Sequence, residues 1–148
     1  IVGALLAAKG LTLATMEAGS GGYLSNVITN VPGSSKYFKG GLVAYTNEAR
    51  EVFGFNHQVA YQYGLISSEA ARLMAKLARE KLNASIGMGV TAVVGPAEIE
   101  GKPVGTIFIS IDDGQHSQCF AKHYPGNRPQ VKQRVATLAL FELRKILL

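Results

Sequence analysis

A glycine-rich run at residues 19–22 (Gly-Ser-Gly-Gly) follows a β-prone segment and precedes a segment that can begin a helix at Tyr23. A glycine loop that opens a helix exposes free backbone N–H groups and the positive end of the helix dipole, which suits a phosphate. No lysine follows the run, so it is not a Walker loop, and it does not match G-x-G-x-x-G. Tight packing of helix against strand would require the same glycines, so both interpretations stay open.

Hydroxyl groups and a cation surround the next predicted strand. Ser34 and Ser35 lie in a Pro-Gly turn before it, Tyr45 lies near its end, and Arg50 follows shortly afterwards. A serine near a tyrosine and a cation is by itself a weak indication of catalysis, because serines in such turns are common turn formers.

A threonine marks the end of a later predicted strand. Thr91 precedes Gly95-Pro96, at the kind of position where open α/β sheets gather ligands, although a β-branched strand residue before a turn has the same pattern. The single cysteine, Cys119, excludes an internal disulfide and argues against structural zinc. The three histidines lack metal-ligand spacing, so neither a metal nor a cofactor is expected.

Strands and helices alternate along the chain until a final hairpin and a closing helix. This order predicts one α/β domain over residues 1–148, with a mostly parallel sheet and one antiparallel strand. The predicted strands are 11–16, 41–46, 84–94, 104–111 and 118–124. The predicted helices are 1–9, 23–29, a short one from Asn47, 67–82, and one from Pro129 that buries Val131, Val135, Leu138 and Ile146.

The composition indicates a folded chain without a membrane span. Of 148 residues, 47% are hydrophobic and 17% charged, which supports a buried core and excludes a disordered tail. No apolar run reaches the ~18 residues of a membrane helix. The start has neither a signal peptide nor an initiator methionine, so we expect a cytoplasmic protein trimmed from a longer chain.

A net charge of +5, from 15 basic and 10 acidic residues, favours anionic partners. An ordinary basic surface would give the same balance. The densest basic stretch lacks the interleaved aromatic residues that stack on bases, which argues against nucleic-acid binding. The apolar circumference of the last helix predicts a homodimer. The basic stretch contains Lys122, His123, Arg128, Lys132 and Arg134.

Several short motifs, taken in order, resemble the CinA C-terminal domain, the nicotinamide-nucleotide amidase (NMN deamidase) family. They cover nearly the whole chain, and their joint spacing makes chance agreement improbable. The motifs are 11–22 (LTLATMEAGSGG), 31–35 (VPGSS), 45–49 (YTNEA), 64–69 (GLISSE), 102–106 (KPVGT) and 126–128 (GNR).

The resemblance implies a three-layer α/β/α fold with a five-stranded mixed sheet. It also implies hydrolysis of the amide of nicotinamide mononucleotide (NMN) to nicotinic acid mononucleotide and ammonia. By the same resemblance Ser35 falls on the nucleophile, Tyr45 on a catalytic tyrosine and Arg50 on the general-base lysine. The residues expected to bind the substrate are Glu17, Ser20, Gly21, Gly22, Thr91 and Arg128.

The sequence departs from the family pattern mainly at the expected site. Arg50 replaces the lysine, and arginine stays protonated with no lone pair to act as a base. The family's Glu-Ser-Cys-Thr-Gly-Gly becomes Glu-Ala-Gly-Ser-Gly-Gly, so Ala18 and Gly19 replace a hydroxyl and a thiol. Ala92 replaces the first glycine of Gly-Ile-Ala-Gly-Pro, and Asn127 replaces an aspartate.

These departures lead to three hypotheses. In the first, the chain binds an NMN-like ligand or a partner without efficient deamidation, because base assistance is worth roughly 100- to 10,000-fold in rate. In the second, it remains an amidase in which Lys36 or Lys39 activates Ser35, while Arg50 binds phosphate or the oxyanion. In the third, it is a DNA-associated accessory domain whose binding would weaken steeply with salt.

Overall fold

The computed structural model describes all residues from 1 to 148 and contains one five-stranded sheet with the strand order β2-β1-β3-β4-β5. The strands are β1 (Leu13–Glu17), β2 (Phe38–Val43), β3 (Ile86–Ala92), β4 (Thr106–Asp112) and β5 (Ser117–His123). The helices are α1 (Val2–Lys9), α2 (Tyr23–Thr29), α3 (Asn47–Val52), α4 (His57–Tyr63), α5 (Ser68–Lys81) and α6 (Arg128–Leu147).

The strand directions confirm the predicted mixed sheet. Strand β1 pairs in parallel with β2 on one side and with the central strand β3 on the other. The hairpin strand β4 pairs antiparallel with β3 and with β5, so it alone opposes the other four strands. The carboxyl ends of β1, β2 and β3 therefore meet at one edge of the sheet, which we call the carboxyl edge.

Helices cover both faces of the sheet, which confirms the α/β/α arrangement. On one face, α1, α2 and α6 pack on a cluster that includes Leu6, Leu24, Met88 and Ile109. On the other face, α5 packs closely on β3, and backbone atoms of α5 come so near Gly87 and Gly89 that side chains there would clash. The small residues in β3 thus set the helix-to-sheet distance.

The buried face of α6 differs in part from the prediction. Val131 and Val135 are buried as expected, but the stripe continues through Ala139, Leu143 and Leu147. Leu138 is only half-buried and Ile146 is exposed. Because α6 is apolar around much of its circumference, the sequence did not determine which of its faces packs against the sheet.

The sequence pattern also missed one helix and displaced one strand. Helix α4 has no buried residue, so it lacks the apolar stripe by which a helix is predicted. Strand β2 begins at Phe38 and not at Gly41. The prediction missed its first residues because glycine, here Gly40 and Gly41, is uncommon inside strands. No helix of the structure combines the length and apolar character that crossing a membrane requires.

A buried carboxylate joins α6 to the hairpin. Glu142 is fully buried, and its oxygens lie 3.0 Å from the Lys122 ammonium on β5 and 2.8 Å from the Lys145 ammonium. Burial by itself would raise the pKa of Glu142, but hydrogen bonds and charge attraction from both lysines outweigh it and lower the pKa.

We expect Glu142→Gln to lower the free energy of unfolding by about 2 kcal/mol, because a charged hydrogen-bonded group loses its charge. Since the folded-state pKa lies below the unfolded one, the contribution of Glu142 is present above about pH 4.3 and disappears as the pH falls through the folded-state value. Urea denaturation at pH 7 and pH 3 measures this. A difference between wild type and variant that persists undiminished at pH 3 would contradict the ion-pair origin.

Candidate active site

A cavity of about 260 Å³ opens at the carboxyl edge, in the crevice between β1 and β3. The chain leaves β1 toward β2 on one side and returns as β3 on the other, and such a switch point is where open α/β sheets bind ligands. We call it the carboxyl-edge cavity. Its walls are formed by Ala18, Gly19, Tyr45, Arg50, Leu65, Ile66, Thr91, Ala92, Val94, Gly95, Ile99 and Arg128.

Arg128 closes one wall of the cavity from the first turn of α6. Asn127 caps this helix, and reciprocal side-chain bonds between Asn127 and Gln130 fix its start. The Arg128 guanidinium donates to the Gly95 carbonyl and to the Tyr45 hydroxyl oxygen, the latter at 2.8 Å. The structure thus brings Tyr45 and Arg128 together, although 83 positions separate them in the sequence.

Arg50 forms another wall from α3. Only 8% of this residue is exposed, and its guanidinium donates one hydrogen bond, to the Asn47 side-chain oxygen at 3.3 Å. Burial lowers the pKa of Arg50 from its ordinary value, while the charge of Glu100 opposes that shift. The group stays a cation at neutral pH, because arginine is not deprotonated in proteins.

Thr91 lines the cavity at the end of β3, as the sequence predicted. Its hydroxyl donates to the Leu65 carbonyl at 2.9 Å, so its proton is already engaged. Leu65 belongs to the loop before α5, where Ser67 caps the helix. Thr91 therefore ties this loop to the sheet and offers the cavity only lone pairs.

Glu17 and Ser20, which the resemblance predicts to bind substrate, are buried and do not line the cavity. Glu17 is fully buried and accepts four hydrogen bonds, from the Ser20 hydroxyl (2.7 Å), the Leu24 N–H (2.8 Å), and the N–H and hydroxyl of Ser25 (2.9 and 2.8 Å). The carboxylate fixes the turn from β1 into α2, and with it the positions of Ala18 and Gly19.

Ser35 lies at the opposite edge of the sheet from Tyr45 and Arg50. It is exposed, in a short 3-10 turn (Ser34–Lys36) that precedes β2, whereas Tyr45 follows the end of β2. Six residues of extended strand span about 20 Å. The expected association of Ser35 with Tyr45 and Arg50 is therefore not met, because a strand places the residues before and after it at opposite ends.

A cationic cleft of about 210 Å³ adjoins the carboxyl-edge cavity, since Arg128 lines both. Lys132, one turn farther along α6, forms its second basic wall, and makes no ion pair or side-chain hydrogen bond. Its ammonium lies against Gly21, within 3.7 Å of where a side-chain carbon at that position would be. Gly21 thus faces a cation, and Gly22, with φ 99°, allows the sharp start of α2. The other walls are Tyr23, Pro129 and Gln133.

The basic stretch of the sequence divides among separate partners. Lys122 pairs with Glu142, Arg134 stacks over the Tyr124 ring at 4.5 Å, and Arg128 turns toward Tyr45. Of this stretch, the sequence alone did not single out Lys132, whose spacing of four from Arg128 places both side chains on one helix face.

Other parts of the molecule offer less to a ligand of this kind. A cavity of about 480 Å³ lies where Lys9, Ser85 and Asp113 meet, and none of the expected site residues lines it. A second one, of about 400 Å³, lies beside Arg50, but its walls include the carboxylates of Glu51 and Glu100, which disfavour an anion. No three histidine, cysteine or acidic side chains come close enough together to hold a metal ion.

Comparison with known proteins identifies close relatives in sequence and structure. The family model described as the CinA C-terminal domain matches residues 1–147. A CinA-like protein from Amoebophilus asiaticus (strain 5a2) is 42% identical over 125 residues, which are 82% of this chain and 29% of that protein. A CinA-like protein from Syntrophus aciditrophicus is 36% identical over 149 residues, 99% of this chain and 36% of that protein. The chain thus spans about a third of the length of these relatives.

Solved structures share the fold at lower sequence identity. A competence-damaged protein (CinA) superfamily protein from Escherichia coli has a TM-score of 0.93 and 26% identity, covering 98% of this chain and 87% of that one. A CinA superfamily protein from Klebsiella pneumoniae has a TM-score of 0.95 and 22% identity, covering 99% of this chain and 92% of that one. The second comparison bears on the fold alone.

We expect Glu17→Gln to lower the free energy of unfolding by about 3 kcal/mol, since the amide NH₂ would face donors that the carboxylate now accepts. Ser25→Ala, which removes one of the four bonds, should cost about 1 kcal/mol. Urea denaturation of both variants beside the wild type measures the difference. Equal losses in the two variants would contradict the central role of the Glu17 carboxylate.

Proposed function

The chain belongs to the CinA C-terminal domain family, and we propose that it binds an NMN-like mononucleotide in the carboxyl-edge cavity while hydrolysing it weakly or not at all. The observation that carries this proposal is the pairing of Ala18 and Arg50 on the walls of one cavity. The family motifs have serine and lysine at these two positions. A serine hydroxyl beside a neutral lysine is a nucleophile with its base, whereas an alanine beside an arginine is neither.

The remaining hydroxyl groups of the cavity support the same conclusion. The Tyr45 oxygen accepts a hydrogen bond from Arg128, and the Thr91 proton is bound to the Leu65 carbonyl. Neither hydroxyl has a lysine, histidine or carboxylate beside it to remove a proton, since none of these residue types lines the cavity. The walls therefore favour binding over proton abstraction.

The size and charge of the combined site suit a nucleoside monophosphate. The carboxyl-edge cavity alone is smaller than the ~300–1,000 Å³ typical of small-molecule sites, but the cationic cleft at Lys132 extends it by about 210 Å³. A phosphate in that cleft contacts Lys132 and Arg128, two donors of charge-assisted hydrogen bonds. The heterocycle then occupies the deeper cavity beside Ile66, Val94 and Ile99, which supply apolar surface.

Ammonia release and binding together test the proposal. We expect calorimetry to detect NMN binding to the wild-type chain, with little or no ammonia released. The double variant Ala18→Ser/Arg50→Lys restores a hydroxyl and a base to one cavity, and we expect ammonia release to rise by 100-fold or more. The single variant Arg50→Lys, which supplies the base without the hydroxyl, is the matched control and should stay near the wild-type rate.

Two results would contradict the proposed function. If NMN does not bind to the wild-type chain, the proposed ligand is wrong. Efficient wild-type hydrolysis that Ser35→Ala abolishes would establish the alternative amidase, with Lys36 or Lys39 as its base.

Lys132→Ala should weaken NMN binding roughly tenfold or more, because it removes one charge-assisted hydrogen bond to the phosphate. Lys9→Ala removes the same charge from a different cavity and should leave affinity unchanged. Titration calorimetry at constant ionic strength compares the two. If both variants weaken binding equally, the effect comes from net charge and Lys132 is not a phosphate contact.

A further inference from the structure

Arg50 is a buried cation whose hydrogen-bonding capacity is mostly unused. A guanidinium has five N–H donors, and in Arg50 only one of them finds a protein acceptor, the Asn47 oxygen at 3.3 Å. No carboxylate lies within ion-pair distance of it, although the residue is 92% buried (8% exposed). Its other nitrogen atoms are open to the cavities that Arg50 lines, so an anion that enters from outside the chain can accept their hydrogen bonds.

Glu100, the acidic residue whose charge influences Arg50, has its own hydrogen-bond partners. Glu100 accepts hydrogen bonds from the N–H groups of Leu65 and Ile66 at 2.8 and 2.9 Å, and Lys102 lies 3.8 Å from its carboxylate. Glu100 thus fastens the loop before α5 and influences Arg50 only through charge at a distance. The guanidinium lines two cavities, and of these only the carboxyl-edge cavity has no carboxylate on its walls.

The shape of a guanidinium decides which anion fits it. Its planar fork of N–H donors matches the two oxygens of a carboxylate, which accept both bonds at once. A carboxamide offers only one oxygen, and its NH₂ would face a group that has donors and no acceptor. Arg50 therefore distinguishes an acid from its amide at the same position of a ligand.

We propose that Arg50 makes the carboxyl-edge cavity selective for a mononucleotide that carries a ring carboxylate, in preference to the corresponding carboxamide. This inference rests on the proposed function and names the ligand class of the same site. The ligand has two anionic groups, a phosphate at Lys132 and Arg128 and a carboxylate at Arg50. Between them, the apolar walls at Ile66, Val94 and Ile99 receive the ring.

The replacement of the family's lysine by Arg50 then has a positive consequence besides the loss of a base. Hydrolysis of the NMN amide yields a ring carboxylate, so the reaction class that supplies the preferred ligand is amide hydrolysis. A site that binds the acid more tightly than the amide is a product-binding or sensing site for that reaction.

Nicotinic acid mononucleotide and NMN form a matched pair of probes, because they differ only in the carboxylate and the carboxamide. We expect titration calorimetry of the full chain to give tenfold to hundredfold tighter binding of the acid, roughly the contribution of one charge-assisted hydrogen bond. Arg50→Gln should abolish the preference, and Arg50→Lys should leave a smaller one, since a point charge remains without the fork. Arg144→Gln, an exposed arginine on α6, is the matched control and should keep the full preference.

Each outcome separates this inference from the function it rests on. Binding of neither mononucleotide would overturn both. Equal binding, or tighter binding of NMN, would overturn the selectivity and leave mononucleotide binding intact. A preference that survives in both Arg50 variants would assign it to another residue. If circular dichroism shows that these variants do not fold, NMR of the ¹⁵N-labelled wild type replaces them. A chemical-shift change of the Arg50 Nε–H signal with the acid and none with NMN supports the proposal, and the reverse refutes it.

Discussion

The buried carboxylate of Glu17 is the interaction on which the rest of the site depends. Its four hydrogen bonds gather Ser20, Leu24 and Ser25 around the end of β1 and so determine how the chain turns from this strand into α2. A buried charge is tolerated only when its oxygens are fully engaged, and here every bond comes from the element that follows β1. This fixed turn leaves Ala18 and Gly19 exposed to the crevice between β1 and β3, where the cavity opens.

The two arginines of the cavity differ in burial and in their hydrogen-bond partners. Arg128 lies at the surface end of α6 and has both Tyr45 and the Gly95 carbonyl as partners, so it is a fixed part of the wall. Arg50 is more deeply buried and nearly unpartnered. With Lys132 beside the entrance, the site has an excess of positive charge, and no lysine, histidine or carboxylate lines the carboxyl-edge cavity. Such a site stabilises anions better than it activates nucleophiles.

The residues that determine the fold are therefore different from the residues that line the cavity. The sheet order and helix layers are shared with solved relatives at TM-scores of 0.93 and above despite identities of 22–26%, because the buried positions need only compatible volume. The walls of the cavity impose no such requirement on stability. Ala18 and Arg50 fit their places without disturbing Glu17, β1 or α3, so the residues that face the ligand can change while the scaffold stays the same.

The sequence by itself determined the α/β class, most elements and the family, because apolar periodicity and turn residues are local properties and the motifs occur in order along the chain. It identified Tyr45, Arg50, Thr91 and Arg128, which the structure brings to one cavity. Only the tertiary structure decided that Ser35 lies at the opposite edge from Tyr45, that Glu17 and Ser20 are buried away from the cavity lining, and that Lys132 faces Gly21. The reason is geometric, because proximity in a sheet depends on strand direction and length. The six residues of β2 carry the chain from one edge to the other between Ser35 and Tyr45, which are only ten positions apart in the sequence.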